Sequence, residues 1–116
     1  MELVIGEIEG DVMVIRADGG LNQTTAKQMS EQVGALVAGG VRHLIVDCSA
    51  LTVLSSTGIG VLLMLHTRMK SHGGDVRLCG LQGLIVQVLQ LAKLDRLFQL
   101  YPDVGQAKLS FRPQAS

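Results

Sequence analysis

Hydrophobic and polar residues follow two different spacings along this chain, and the changes between them predict its secondary structure. Short apolar or alternating runs predict strands, whereas apolar residues three and four positions apart predict amphipathic helices. Turn and helix-end residues, glycine above all, separate these segments. The predicted elements are, in chain order, strands over 3–8 and 12–17, a helix over 24–38, a strand over 43–48, a helix over 57–71, a strand over 76–79, a helix over 81–92, a strand over 98–101 and a final helix with Pro102 in its first position.

The order of these elements predicts an α/β fold. The first two strands flank Glu9-Gly10-Asp11, which indicates a hairpin. The largely apolar run 43–48 is typical of a strand buried on both faces, and helical crossovers make the strands that they join parallel. We therefore expect a mixed, mostly parallel sheet of about five strands after an N-terminal hairpin, with about four helices packed on it. The predicted domain spans residues 1–109, and a polar tail occupies 110–116.

Composition narrows the possible partners. The 116 residues are 47% hydrophobic but 3% aromatic, which fits one domain with a core of branched aliphatic side chains. Ten basic and ten acidic residues balance, and no basic cluster or aromatic platform indicates a nucleic-acid groove. The longest apolar run, 59–65, is too short to cross a membrane. With no secretion signal at the start, we predict a cytoplasmic protein without nucleic-acid or membrane partners.

Catalytic chemistry has little support in the sequence. His66 and His72 are six residues apart, which misses the spacing of a helical metal pair, and no phosphate-binding loop is present. Cys48 and Cys79 lie in apolar strand-like segments, so buried, reduced thiols are favoured over a disulfide. Asp47 follows a strand and could look catalytic, but nothing accompanies it. We predict no catalytic residue, no metal site and no cofactor.

The segment Val53-Leu-Ser-Ser-Thr-Gly-Ile-Gly60 carries the most specific signal. Three adjacent hydroxyl groups lie where a loop enters a helix, close to unpaired backbone N–H groups and the positive end of the helix dipole. One interpretation is a helix cap, which any of the three could provide, and position alone favours it. The other is a phosphoacceptor, because a helix N-terminus can accommodate a dianion.

Four blocks of sequence together resemble the STAS family, whose single-domain bacterial members are anti-sigma-factor antagonists. The blocks are 44–62, Gly20-Leu21-Asn22, 73–78 and 91–98, and the resemblance extends over roughly 3–109. In that family a serine followed by Ser or Thr and then Gly is phosphorylated by a partner kinase. The resemblance implies that Ser56 is the phosphoacceptor here, with Thr57 as the second choice.

The resemblance also implies a mechanism and a set of partners. The unmodified protein would bind and sequester an anti-sigma serine kinase and so release the sigma factor, and phosphorylation would prevent this binding. A phosphatase acting on Ser56 and a homodimer are further partners that it allows. The residues implied to face the kinase are Asn22, Ser55, Ser56, Thr57 and Gly58.

Two of these residues depart from the family pattern. Ser55 and Asn22 stand where family members commonly carry aspartate. The loss of two carboxylates removes charge-assisted contacts, so partner recognition is altered, weakened or redirected. This departure is the best argument for an alternative function, a structural STAS subunit of a stressosome-like or transporter-associated assembly. An enzymatic role ranks last.

Overall fold

The computed structural model describes residues 3–111, with side chains from Ile8 onward. It contains four α-helices, seven strands and a short 3₁₀-helix over Leu94–Arg96. In chain order the elements are β1 (Leu3–Glu9), β2 (Val12–Ala17), β3 (Gly19–Leu21), α1 (Gln23–Ala38), β4 (His43–Asp47), β5 (Leu51–Leu54), α2 (Ser56–Ser71), β6 (Asp75–Cys79), α3 (Gly83–Leu91), β7 (Gln99–Tyr101) and α4 (Val104–Ser110).

The five-stranded sheet has the order β1-β2-β4-β6-β7 and confirms the predicted fold class. The first pair is the antiparallel hairpin, and the three other pairs are parallel. Side chains alternate across the sheet: Leu44 and Val46 join the core beneath α1, α2 and α3, whereas Ile45 joins a smaller core beneath α4. All three are at most 1% exposed, so β4 is buried on both faces as its apolar run predicts.

A second, two-stranded sheet was not predicted from the sequence. It pairs β3 with β5 in parallel, with Leu21 opposite Leu54. These strands have three and four residues, and Thr52 and Val53 on β5 are exposed. Segments this short, with exposed residues among buried ones, carry no clear periodic signal. This small sheet matters because α1 and α2 begin directly after its two strands.

The C-terminal helix corrects one prediction. Asp103, not Pro102, borders α4: its carboxylate caps the helix by accepting a hydrogen bond from the Gln106 N–H at 2.8 Å. Pro102 therefore precedes the cap instead of occupying the first helical position. α4 continues through Ser110, the first residue of the predicted tail, and the Phe111 ring packs under the Arg77 guanidinium at 3.8 Å. Residues 112–116, the rest of the predicted tail, lie outside the described residues.

Candidate functional site

The N-termini of α1 and α2 lie side by side because each helix follows one strand of the small parallel sheet. Asn22 caps α1, and its side-chain oxygen accepts hydrogen bonds from the backbone N–H groups of Thr24 and Thr25 at 3.0 and 3.2 Å. The Thr25 hydroxyl in turn accepts from the Asn22 N–H at 2.9 Å, which completes a capping box. The structure thus brings Asn22 to the same edge of the molecule as the hydroxyl cluster.

Ser55 is the cap of α2. Its hydroxyl oxygen accepts a hydrogen bond from the Gly58 N–H at 3.1 Å and donates one to the Leu21 carbonyl at 2.9 Å. The Ser55 N–H donates to the same carbonyl at 3.2 Å. Of the three neighbouring hydroxyls that could cap, the geometry selects Ser55, and its bonds fix the start of α2 to the end of β3.

Ser56 and Thr57 occupy the first turn of α2, and both are exposed. Within residues 8–111, neither side chain makes a hydrogen bond that would hold it against the protein. Ser56 is the first helical residue, next to N–H groups that have no partner inside the helix. The predicted phosphoacceptor, Ser56, is therefore accessible, and its neighbour Ser55 makes the hydrogen bonds that fix the start of α2.

Gly58 lies beneath the hydroxyl cluster, against the end of β3. It is buried, and a Cβ atom at this position would lie 2.3 Å from the Leu21 carbonyl oxygen and 3.0 Å from side-chain atoms of Leu21 and Leu54. Only glycine allows α2 to pass this close to β3. Gly58 thus supports the site from beneath, and its place among the residues that face a kinase stays a prediction.

Because Ser55 caps α2 and Ser56 does not, substitutions of these two serines should lower stability by unequal amounts. Ser55→Ala should lower the free energy of unfolding by about 1 kcal/mol, the usual cost of a lost side-chain cap. Ser56→Ala should change it by less than about 0.5 kcal/mol, because an exposed hydroxyl is removed. Urea denaturation of the two variants would measure the difference. Equal losses would show that Ser56 shares the capping role.

Each of the three histidines makes a contact with a neighbouring group of the protein. His43 stacks on Phe111 with a centroid separation of 4.5 Å, and His66 meets the edge of Phe98 at 5.3 Å. His72 ends α2 with its Nδ1 atom 2.8 Å from the Arg68 carbonyl oxygen, as expected for a residue that complements the helix end. Among residues 8–111 no three His, Cys, Asp or Glu side chains come together as a metal site would require.

Asp47 is the last residue of β4, and within residues 8–111 its carboxylate makes no hydrogen bond to the hydroxyl cluster. Its carboxylate accepts a hydrogen bond from the Ser49 N–H at 3.0 Å, in the turn that leads to β5. It therefore stabilises the turn that leads to the small sheet.

Cys48 and Cys79 are free, buried thiols on adjacent parts of the sheet. Cys48 belongs to the core beneath α1, α2 and α3, and Cys79 to the core beneath α4, so the two side chains point to opposite faces. Burial raises the pKa of both thiols, that of Cys79 to about 12.

These raised pKa values predict a loss of stability in alkali. Above the ordinary thiol pKa of about 8.5, the unfolded chain releases thiol protons that the folded chain keeps, so the free energy of unfolding falls as pH rises. Each thiol contributes up to about 1.4 kcal/mol per pH unit in this range. Urea titrations at pH 8 and pH 10 would measure the fall. The Cys48→Ala/Cys79→Ala variant should show a smaller fall, and an identical one would contradict the assignment.

The described part of the chain contains no helix of the length and apolarity needed to cross a membrane. In α2, one of its two longest helices at 16 residues, one face packs on the sheet and exposed residues alternate with buried ones.

Comparison with known proteins agrees with this fold. The sequence model of the STAS domain matches residues 4–107, and the chain belongs to the STAS domain family. It is 24% identical over 112 residues to a Bordetella bronchiseptica protein named anti-sigma factor antagonist BtrV, covering 97% of this chain and 96% of that one.

Solved structures show the same architecture. The anti-sigma factor antagonist SpoIIAA of Bacillus, in its unphosphorylated form, superposes with a TM-score of 0.87 at 17% identity, over 99% of this chain and 100% of the other. The murine anion transporter Slc26a9 contains a similar region, with a TM-score of 0.73 at 18% identity, covering 90% of this chain and 18% of the transporter. The STAS fold thus occurs both as a single domain and inside transporters.

Proposed function

We propose that this protein is an anti-sigma factor antagonist switched by phosphorylation of Ser56. While Ser56 is unmodified, the protein binds an anti-sigma serine kinase and sequesters it, and the sigma factor is released for transcription. The observation that carries the proposal is the separation of roles at the start of α2. Ser55 holds the helix, whereas Ser56 is exposed and makes no structural hydrogen bond within residues 8–111.

The position of Ser56 lets a phosphate change binding without changing the fold. Phosphorylation adds about −1.5 to −2 charges at pH 7. A phosphate on the first residue of α2 meets the positive end of the helix dipole, which favours negative charge. A partner that covers this edge, in contrast, has to remove water from the dianion, which is costly without a matching cation. The modification therefore blocks the partner locally.

The remaining parts of the proposal follow from the switch. A phosphatase acting on Ser56 returns the protein to its binding state, and no cofactor takes part. Two unbridged, buried thiols fit a reducing compartment, and we place the protein in the cytoplasm. Asn22, Ser55 and Thr57 surround Ser56 at the edge that the kinase would cover.

Phosphate mapping tests the proposal. The protein is incubated with ATP and a candidate anti-sigma serine kinase from the same genome, and the phosphopeptides are located by mass spectrometry. We expect one phosphate on Ser56, none in the Ser56→Ala variant and unchanged modification in the Thr57→Ala variant. Undiminished phosphorylation of Ser56→Ala at Ser55 or Thr57 would reject the assignment.

A second candidate function, a structural STAS subunit of a larger assembly, has one observation in its favour. Asn22 and Ser55 are uncharged where the resemblance implies carboxylates, although the cap of α1 uses an oxygen atom that aspartate also has. The fold therefore does not demand asparagine at this position. Light scattering separates the two functions, because a scaffold assembles by itself, whereas an antagonist forms a small complex when the kinase is added.

A further inference from the structure

An open groove runs between α1 and α2 and begins beside the proposed switch. Its volume is about 370 Å³, and Thr57 forms one end of its lining. Ala26 on α1 and Gly60 on α2 keep the groove open, because a Cβ atom at Gly60 would meet nothing within 4 Å. Val61 and Met64 make the floor and wall apolar, and Met64 is 40% exposed. The groove can therefore receive apolar side chains from a protein that covers this edge.

The charge of the groove restricts which charged residues can lie next to those apolar side chains in a bound segment. Lys27 is the one charged residue of the lining, and neither α1 nor α2 carries an acidic residue in its first turn. Within residues 8–111 Lys27 makes no ion pair, so its ammonium group is available to a partner. A basic segment would place like charges together in a partly desolvated groove, whereas a carboxylate would complement Lys27.

We propose that this groove binds a segment of the kinase that presents an apolar side chain next to an aspartate or glutamate. The apolar side chain lies between Ala26 and Met64, and the carboxylate pairs with Lys27. This inference rests on the proposed function, since the kinase is the partner. It also explains the uncharged Asn22 and Ser55, because carboxylates at these positions would repel an acidic segment.

The same charges explain how phosphorylation of Ser56 would weaken binding of this segment. Ser56 precedes Thr57, which lines the groove, so a phosphate on Ser56 adds negative charge at the mouth. The phosphate then repels the carboxylate of the bound segment, in addition to resisting dehydration. Repulsion between exposed charges weakens as salt is added, which gives this cause a measurable signature.

Three variants test the groove with the kinase identified by phosphate mapping. Lys27→Glu reverses the charge, and Gly60→Met fills the groove from a position where the added side chain meets open space. Lys93→Glu makes the same charge change at an exposed site outside the groove lining. Affinity is measured by calorimetric titration at low and high salt, and thermal melting verifies that each variant is folded.

The expected results differ in size and in salt dependence. At low salt, Lys27→Glu should weaken binding about tenfold, and the difference should shrink at high salt. Gly60→Met should weaken binding about tenfold at both salt concentrations, because the loss is steric. Lys93→Glu should stay within about twofold of the unmodified sequence.

Other outcomes overturn the inference in distinguishable ways. Tighter binding of Lys27→Glu would show a basic partner. Unchanged binding of both groove variants, while Ser56→Asp still weakens binding, would reject the groove and leave the proposed function standing. Absence of binding by the unmodified protein to the kinase that phosphorylates it would reject both.

Discussion

Gly58→Ala is expected to lower the free energy of unfolding by about 3 kcal/mol, near the upper end for forced overpacking. The added methyl group would lie 2.3 Å from the Leu21 carbonyl oxygen, and backbone cannot move aside as a flexible side chain can. That carbonyl accepts both hydrogen bonds from Ser55. A shift that relieves the clash therefore also loosens the cap of α2. Urea denaturation would measure the loss.

Gly60→Ala is the matched control, two residues further along the same helix. An added methyl group at this position meets nothing within 4 Å, and alanine favours the helix by up to about 1 kcal/mol over glycine. The control should be as stable as the unmodified protein or more so. If both variants lose the same stability, the close approach of α2 to β3 is not what requires glycine at 58.

Ser56→Asp is expected to weaken binding to the kinase by about 1–3 kcal/mol while the fold keeps its stability or gains a few tenths. The two effects have opposite signs because the same charge meets different surroundings. In the free protein, the negative charge is exposed to water and interacts favourably with the N-terminus of α2. In the complex with the kinase, the same charge loses its hydration. Calorimetric titration gives the affinity, and thermal melting gives the stability.

Ser56→Asn separates the effect of charge from that of size. Asparagine is close to aspartate in volume but neutral, so its binding should remain near that of the unmodified protein. Equal weakening by both variants would indicate a steric block. Full phosphorylation of Ser56 with unchanged affinity for the kinase would reject the proposal that the modification blocks binding.

The main sheet could be predicted because the sequence of its central strand, β4, is typical of a strand buried on both faces. Leu44, Ile45 and Val46 are consecutive apolar residues, and the structure buries β4 between two cores. The small sheet could not be predicted in this way. Its pairing depends on contacts between β3 and β5, whose paired residues are 32 or 33 positions apart and form no apolar period of their own. The edge that carries the site is therefore a product of tertiary structure.

For the candidate site, too, the sequence indicates some features and cannot indicate others. The pattern of hydroxyls placed Ser55, Ser56 and Thr57 at a helix start, but three adjacent hydroxyls are chemically alike as caps. The Leu21 carbonyl, supplied by another strand, selects Ser55. The groove was equally hidden, because it depends on Ala26 and Gly60 facing each other across two helices. A pattern along one helix cannot report what the neighbouring helix presents.

The placement of α4 has a consequence for how this domain can be joined to others. Its buried Ala107 packs on the face of the sheet opposite to the core shared by α1 and α2. A reporter or a second module fused after α4 would thus begin on the far side of the sheet from Ser56. Fluorescent or affinity fusions at that end should leave access to the kinase undisturbed, and the same geometry would let a larger protein carry the domain with its regulatory edge facing outward.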